Sequence, residues 1–232
     1  MKAQDDFENY VGDRLKRILG PRRLKRLKEK IKTNRAFAIR SSDFALATMS
    51  APVAGSLSSL AAMAIYAEDP NMSPLFIQRR VGQDNEDFEI HKLRTLYADA
   101  SQREFSGVPG RDDPRITKVG NVLRKTSINE LPQLWDVVRG KMSLVGPRPW
   151  LRKEFEDLPP ELQKRRAKFK PGITSIASLR GNRLTLVERA QLDIEFMENL
   201  SLLGYYITIL STMKNKTSGI IKNSNEATFG KQ

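Results

Sequence analysis

From Ala45 to Ala67 the chain runs 23 residues without a charged side chain, ALATMSAPVAGSLSSLAAMAIYA, between Asp43 and Glu68. About 20 such residues let a helix cross a bilayer, so this run constrains the fold more than any other. It is only weakly apolar, with eight Ala and four Ser, whereas a typical span is rich in Leu, Ile, Val and Phe. Three arrangements fit: a buried helix of a soluble domain, a full span, and a re-entrant helix that enters and leaves on one face. Pro52 and Gly55 supply a break for the last, and small residues allow its halves to pack closely. The run lies too deep in the chain, behind too long a basic stretch, to be a secretory signal.

What precedes it is strongly basic. Of the net charge of +13, residues 1–40 carry +8, from 13 basic and 5 acidic side chains. Leu15, Ile18 and Leu19, then Leu24, Leu27 and Ile31, recur at three- and four-residue spacing. That spacing predicts two short basic amphipathic helices broken at Gly20-Pro21. Such a segment suits a solvated arm, an anionic lipid surface or a nucleic acid alike; beside the apolar run, lipid is the fitting partner.

Beyond Pro70 the pattern becomes that of a water-soluble domain. Leu75-Phe76-Ile77 and Phe88-Glu89-Ile90, about the turn Gln83-Asp84-Asn85, predict a β-hairpin carrying Arg79, Arg80, Lys92 and Arg94. Residues 106–114 read as a Gly/Pro/Asp loop. Ser127-x-x-Glu130 predicts a capping box opening a helix that ends near Gly140. Met142–Val145 reads as extended chain running into the stiff turn Gly146-Pro147-Arg148-Pro149. Further helices are expected from Pro159 to the Pro171-Gly172 stop, over 186–199 and over 200–213, the last bearing Tyr205-Tyr206 as an interfacial helix. The polar tail from Lys214 is expected to be mobile.

Composition removes whole classes of chemistry. With no cysteine and one histidine, disulfides, thiolate nucleophiles, cysteine-zinc sites and multi-histidine metal sites are excluded. No phosphate-binding G-x-x-x-x-G-K-[ST], dinucleotide-type G-x-G-x-x-G or G-x-S-x-G elbow occurs, nor any nucleic-acid module signature. His91 alone reads as a structural or surface residue. Carboxylates, hydroxyls, amides, Arg, Lys or a bound cation remain.

Five segments, SPLFIQRRVG (73–82), HKLRTL (91–96), DPRITKVGNVLRKTSINELPQLWDVVRGKMSLVGPRP (113–149), KPGIT (170–174) and LDIEFMENLSL (192–202), together resemble the bacterial sugar transferases, the monotopic polyprenyl-phosphate phosphoglycosyl transferases. The resemblance runs from about Arg40 to Met213. It implies a helix-rich α+β fold anchored by a re-entrant membrane helix at the cytoplasmic face of the bacterial inner membrane. The organisation expected is a basic extension (1–39), the membrane helix (40–69), a catalytic domain (70–213) and a tail (214–232). The implied reaction moves sugar-1-phosphate from a UDP-sugar to polyprenyl phosphate with Mg2+, through a carboxyl-phosphosugar intermediate, releasing UMP and starting a surface glycan. The implied partners are the two substrates and an anionic membrane surface, with no nucleic acid; a homodimer is compatible with the sequence.

The same resemblance, with the chemistry of the side chains, nominates the site. Glu130 is the candidate nucleophile beside Asn129. Arg124 and Arg148 are candidate diphosphate clamps, the latter held between two prolines. Lys92, Arg94 and Arg183 are further substrate-binding candidates. Asn129 and Asp193 are candidate Mg2+ ligands, Asp193 alternatively pairing with a basic side chain. Arg40 and Asp43 match the family's basic-x-x-Asp at the start of the membrane helix, and Pro52 its helix break, though Ala51-Pro52 lies several residues early and Ser58-Ser59 nearer the usual place. The main departure is Asn129, where the family has Asp in an Asp-Glu pair. Three consequences stand open: the amide disables turnover, Glu130 takes over as nucleophile, or the chain binds without catalysing, as a membrane or anion-binding scaffold. Smaller departures are Ser175 and Ser178 where Gly and Gln are frequent, and Tyr205-Tyr206 where an Asp-x-Lys is common.

Overall fold

The computed structural model describes residues 2–71, 73–97, 113–180 and 184–229. Two compact units result, Met1–Ser42 and Asp43–Gln232. Helix α1 (Lys2–Glu68) supplies the described backbone of the first unit. The break expected at Gly20-Pro21 is absent: the helix is continuous there. Proline's fixed φ is compatible with a helix, and the flanking Leu, Lys and Arg are strong helix formers, which offsets the cost of the missing N–H.

In the second unit α1 remains helical through Pro52 and Gly55. Its faces differ sharply. Asp43, Ala47, Ala54, Ala61 and Ile65 are buried at helical spacing, while Phe44, Met49, Val53, Leu57, Leu60, Met63 and Tyr66 are exposed. Among the described residues one helical segment, Glu29–Glu68, is long and apolar enough to cross a membrane. Asp43 fastens α1 to the domain. Its Oδ1 accepts from Leu144 N–H (2.8 Å), Ser143 Oγ (3.1 Å) and Tyr205 Oη (2.7 Å). Burial, with Asp43 alongside, pushes the Tyr205 phenol up, so the hydroxyl stays a donor.

The domain is helix-rich α+β, with two small sheets. Strands β1 (Leu75–Val81) and β2 (Asp87–Leu93) form the expected hairpin, antiparallel from Leu75↔Leu93 to Val81↔Asp87. Its turn holds Asp84 and Asn85 at φ 55° and 63°, a region Asn and Asp tolerate better than most residues. Next comes α2 (Lys118–Thr126), capped by Thr117 Oγ1 accepting from Gly120 N–H at 2.7 Å. Then α3 (Gln133–Val138) leads to β3 (Ser143–Val145). Helices α4 (Arg152–Glu156) and α5 (Pro160–Arg166) precede β4 (Gly172–Thr174), which pairs in parallel with β3. Last are α6 (Ile176–Arg180), α7 (Leu186–Glu198) and α8 (Leu202–Phe229). Helix α8 extends into the segment expected to be a tail. Parallel β3–β4 pairing requires close backbone approach. A Cβ on Gly172 would collide with the main chain of Gly146, and one on Gly146 with Lys170 O.

The capping box expected at Ser127 does not form. Ser127 is instead the left-handed C-cap of α2, at φ 59°, and its side chain caps nothing. A 3-10 turn, Ile128–Glu130, follows before α3 begins. The basic LRKT run that ends α2 uses Ser127 as a stop, so the local S-x-x-E pattern loses to the preceding helix. The chain does turn out of α3 at Gly140, at φ 78°, as expected. Helix α5 ends at Arg166, so Pro171-Gly172 opens a strand rather than stopping a helix.

Candidate active site

Strand alternation places Arg80 and Lys92 on one face of the hairpin, opposite Phe88 and Phe76 in the register. Against that face the 3-10 turn brings Glu130, the first turn of α3 brings Gln133, and the proline-locked turn brings Arg148. Ser175 and Ser178, after β4, complete the polar wall, their hydroxyls 2.9 Å apart. Lys92 Nζ stands 3.9 Å from Glu130 Oε1. Burial pushes the Lys92 ammonium down; Glu130 opposes the fall, while Arg148, Arg80 and Arg124 add to it. The cleft therefore concentrates positive charge around one lining carboxylate, the arrangement an incoming polyanion neutralises.

Other predicted residues sit elsewhere. Asn129 is half-buried in the same 3-10 turn but is not among the side chains lining the cleft; successive side chains in such a turn diverge by about 120°. Arg124 borders the site, donating from Nε to Thr95 Oγ1 at 2.8 Å. Arg94 is buried beside Asp69, away from the cleft, and burial pushes its guanidinium down. Asp193 is 2 % exposed in α7 and accepts from Ala177 N–H at 2.9 Å, with Ser175 and the Arg148 main chain close by. Burial pushes its carboxyl up against those contacts. Arg40 lies in the first unit and Pro52 on α1. Arg183 and residues 106–112 of the expected loop lie outside the described residues. His91 is structural: its Nδ1 lies 2.7 Å from Asp136 Oδ1, on the hairpin's other face.

Sequence reasoning passed over Gln133 and Arg166. Gln133 follows Glu130 by three residues, a helical interval that carried a usable signal. Nothing local marks Arg166, one of four basic residues around the end of α5 and yet 0 % exposed.

Among the described residues no group of three or more His, Asp or Glu side chains could hold a metal ion. Mg2+ is often bound through one or two carboxylates together with substrate phosphates. Glu130 in a basic cleft fits a cation that arrives with a diphosphate.

A separate apolar groove of about 560 Å3 runs along α1. One wall is the small-residue face of α1, including Ala47, Ala54 and Ser58; the other includes Leu93, Leu131 and Trp135. Leu93 and Leu131 of the groove directly follow Lys92 and Glu130 of the cleft in the chain, so the same two segments, the end of β2 and the 3-10 turn, contribute to both.

The same domain thus carries a basic cleft with a lining carboxylate and an apolar groove along its long helix. The chain belongs to the bacterial sugar transferase family, whose pattern it matches over residues 34–219. It is 40% identical over 152 residues to the galactosyl transferase CpsE of Streptococcus agalactiae, covering 60% of this chain and 34% of that protein. It is 38% identical over 159 residues to the uncharacterized sugar transferase EpsL of Bacillus subtilis, covering 67% and 77%. It is 38% identical over 151 residues to the UDP-glucose:undecaprenyl-phosphate glucose-1-phosphate transferase of Caulobacter vibrioides, covering 62% and 56%. The matched segment thus spans about a third of the first of these proteins.

Proposed function

We propose that this chain transfers sugar-1-phosphate from a UDP-sugar to polyprenyl phosphate, the first step of a surface glycan. The observation that carries the reading is Glu130, among the described residues the one carboxylate lining a cleft that also presents Arg80, Lys92 and Arg148. The relatives named above supply the reaction class.

The cations hold the donor diphosphate; Arg148 does so on a rigid turn, which keeps the phosphorus in line with its attacker. A Glu130 oxygen attacks the sugar-bearing phosphorus. The bond from that phosphorus to the bridging oxygen breaks, UMP leaves with the electron pair, and a carboxyl-phosphosugar remains. A phosphate oxygen of polyprenyl phosphate then attacks the same phosphorus and frees the carboxylate. Mg2+ held at Glu130 together with the donor's phosphates would neutralise charge on the diphosphate, with Asn129 reaching it only if its side chain swings into the cleft. The groove along α1 offers apolar surface to the isoprenoid chain. The large apolar side chains on the outer face of α1 favour lipid contact. Pro52, with Ser50 and Ser56 hydroxyls bonded back to the carbonyls of Leu46 and Pro52, favours a bend suited to re-entrant seating at the cytoplasmic surface.

A second reading rests on Asn129. A neutral amide beside Glu130 fits a binding protein with impaired turnover. UMP release from a panel of UDP-sugars, with Mg2+ and polyprenyl phosphate, decides between the two. Turnover by the chain, abolished in Glu130→Gln, is expected. Activity only in Asn129→Asp favours the impaired reading, and no UMP from either protein with any donor overturns the enzyme.

A further inference from the structure

Arg166 is the largest fully buried side chain among the described residues. Its guanidinium lies over the rings of Trp150 (5.2 Å) and Phe155 (5.8 Å). Its Nε and Nη1 have no hydrogen-bond partner, and burial pushes it down to about 10, with Asp193 opposing the fall. A buried cation this poorly satisfied costs stability, and apolar side chains of similar volume are commonly as stable or more so. Packing alone is therefore a weak reason for an arginine here.

Its one donated bond is informative. Arg166 Nη2 donates to the carbonyl of Arg148 at 2.6 Å. The buried Asp193 carboxylate lies near the Arg148 main chain, which helps to lower its pKa against the upward push of burial. The Arg148 main chain thus lies between buried, oppositely charged side chains from two helices, its carbonyl bonded to Arg166 of α5 and Asp193 of α7 close by. The neighbouring carbonyls are held as well. Pro147 O accepts from Gly172 N–H (3.0 Å), Pro149 O from Arg80 Nη1 (3.3 Å) and Trp150 O from Val81 N–H (3.0 Å). The flanking prolines restrict the remaining dihedrals. Arg148 is the residue of this turn whose side chain projects as a cation into the cleft.

We infer that Arg166 and Asp193 are a buried positioning pair for Arg148, locking its backbone so that its guanidinium stays aimed at the bound diphosphate. This rests on the reading of the cleft as the diphosphate site. Neither residue touches substrate. The arrangement stores orientation: it removes the backbone freedom that the clamp would otherwise lose on each binding event. The same assignment gives Asp193 a task other than holding a cation.

A double-mutant cycle tests it on the full chain in detergent. UMP release and UDP affinity by calorimetry are measured for Arg166→Met, Arg148→Ala and the double variant, alongside thermal midpoints. Arg166→Met is expected to raise KM for the UDP-sugar and weaken UDP, with kcat/KM falling by about a hundredfold. In the Arg148→Ala background the same change is expected to cost less than about threefold, because the clamp it serves is gone. Arg166→Lys, which keeps a buried donor and charge, is expected to recover part of the loss, and it replaces Arg166→Met in the cycle if that variant does not fold. An equal fold-loss with and without Arg148 overturns the pair as a positioning device, as does an unchanged KM and UDP affinity in Arg166→Met. If the parent chain binds UDP but releases no UMP, the enzyme reading fails while the cycle is still decided on UDP affinity. If the parent chain does not bind UDP at all, both fail.

Discussion

At the scale of single residues, position outweighs identity. Two buried aspartates show it. Asp43 gathers three donors where the long apolar helix meets the domain, and Asp193 is buried in α7, accepting from the Ala177 N–H. Glu130 remains at the surface of the cleft, with Lys92 for company. Their sequence neighbourhoods do not separate these roles; burial does. A third carboxylate allows a pH test. Two hydrogen bonds from Arg115, Nε to Oδ1 at 2.9 Å and Nη2 to Oδ2 at 2.7 Å, hold the Asp113 carboxyl down at about 2. A depressed acid contributes stability that is complete above its unfolded value, near 4, and is lost as pH falls through about 2. Urea midpoints measured from about pH 5 to about pH 2 should fall more steeply for the parent chain than for Asp113→Asn. Parallel curves would sink this assignment.

At the scale of elements, helix ends carry much of the organisation. Glu68 closes α1 and at once caps α2, accepting from Lys118 N–H at 2.8 Å and Val119 N–H at 2.9 Å. Thr117 satisfies a third amide of the same turn. Charged acceptors at a helix N-terminus are stabilising, so Glu68→Ala should lower the unfolding free energy by about 1–3 kcal/mol. Glu68→Gln should lose less, and equilibrium unfolding in urea reads both. The hairpin, α3's exit at Gly140 and the start of α5 were legible because each depends on neighbours within about four residues. Ser127 was not. Its S-x-x-E pattern is a true capping signature, but whether a serine opens one helix or closes the preceding one depends on where α2 packs, and Leu123 of α2 is buried in a cluster with Ala61, Ile65 and Leu93.

At the scale of the whole molecule, the proposed membrane seating would have charge and apolar surface act in series. The +8 of residues 1–40 would draw the chain to an anionic lipid surface, and the outer face of α1 would hold it there. Exposed Leu203, Tyr206, Ile207, Leu210 and Met213 on α8 suit the same surface. Electrostatic attraction is screened by salt, with a Debye length of about 3 Å in molar salt; apolar insertion is not. The chain should therefore stay with sedimented anionic phospholipid vesicles through a molar salt wash and leave only in detergent. Release by salt alone would remove the inserted helix from the reading and leave the basic segment as the only anchor.

The sequence by itself determined the local parts: an apolar helix behind a basic segment, a hairpin with cations on alternate residues, a turn stiffened by Pro147 and Pro149, and the family to which they belong. These follow from helical and strand periodicities and from fixed proline dihedrals, which act over a few residues. Only the tertiary structure decided that Arg80, Lys92, Glu130 and Arg148 share one cleft, that Arg94 faces Asp69 instead, and that Arg166 is buried behind the clamp. Those facts depend on which elements pack together and which charges lose their water, and both are set by contacts between residues far apart in the chain.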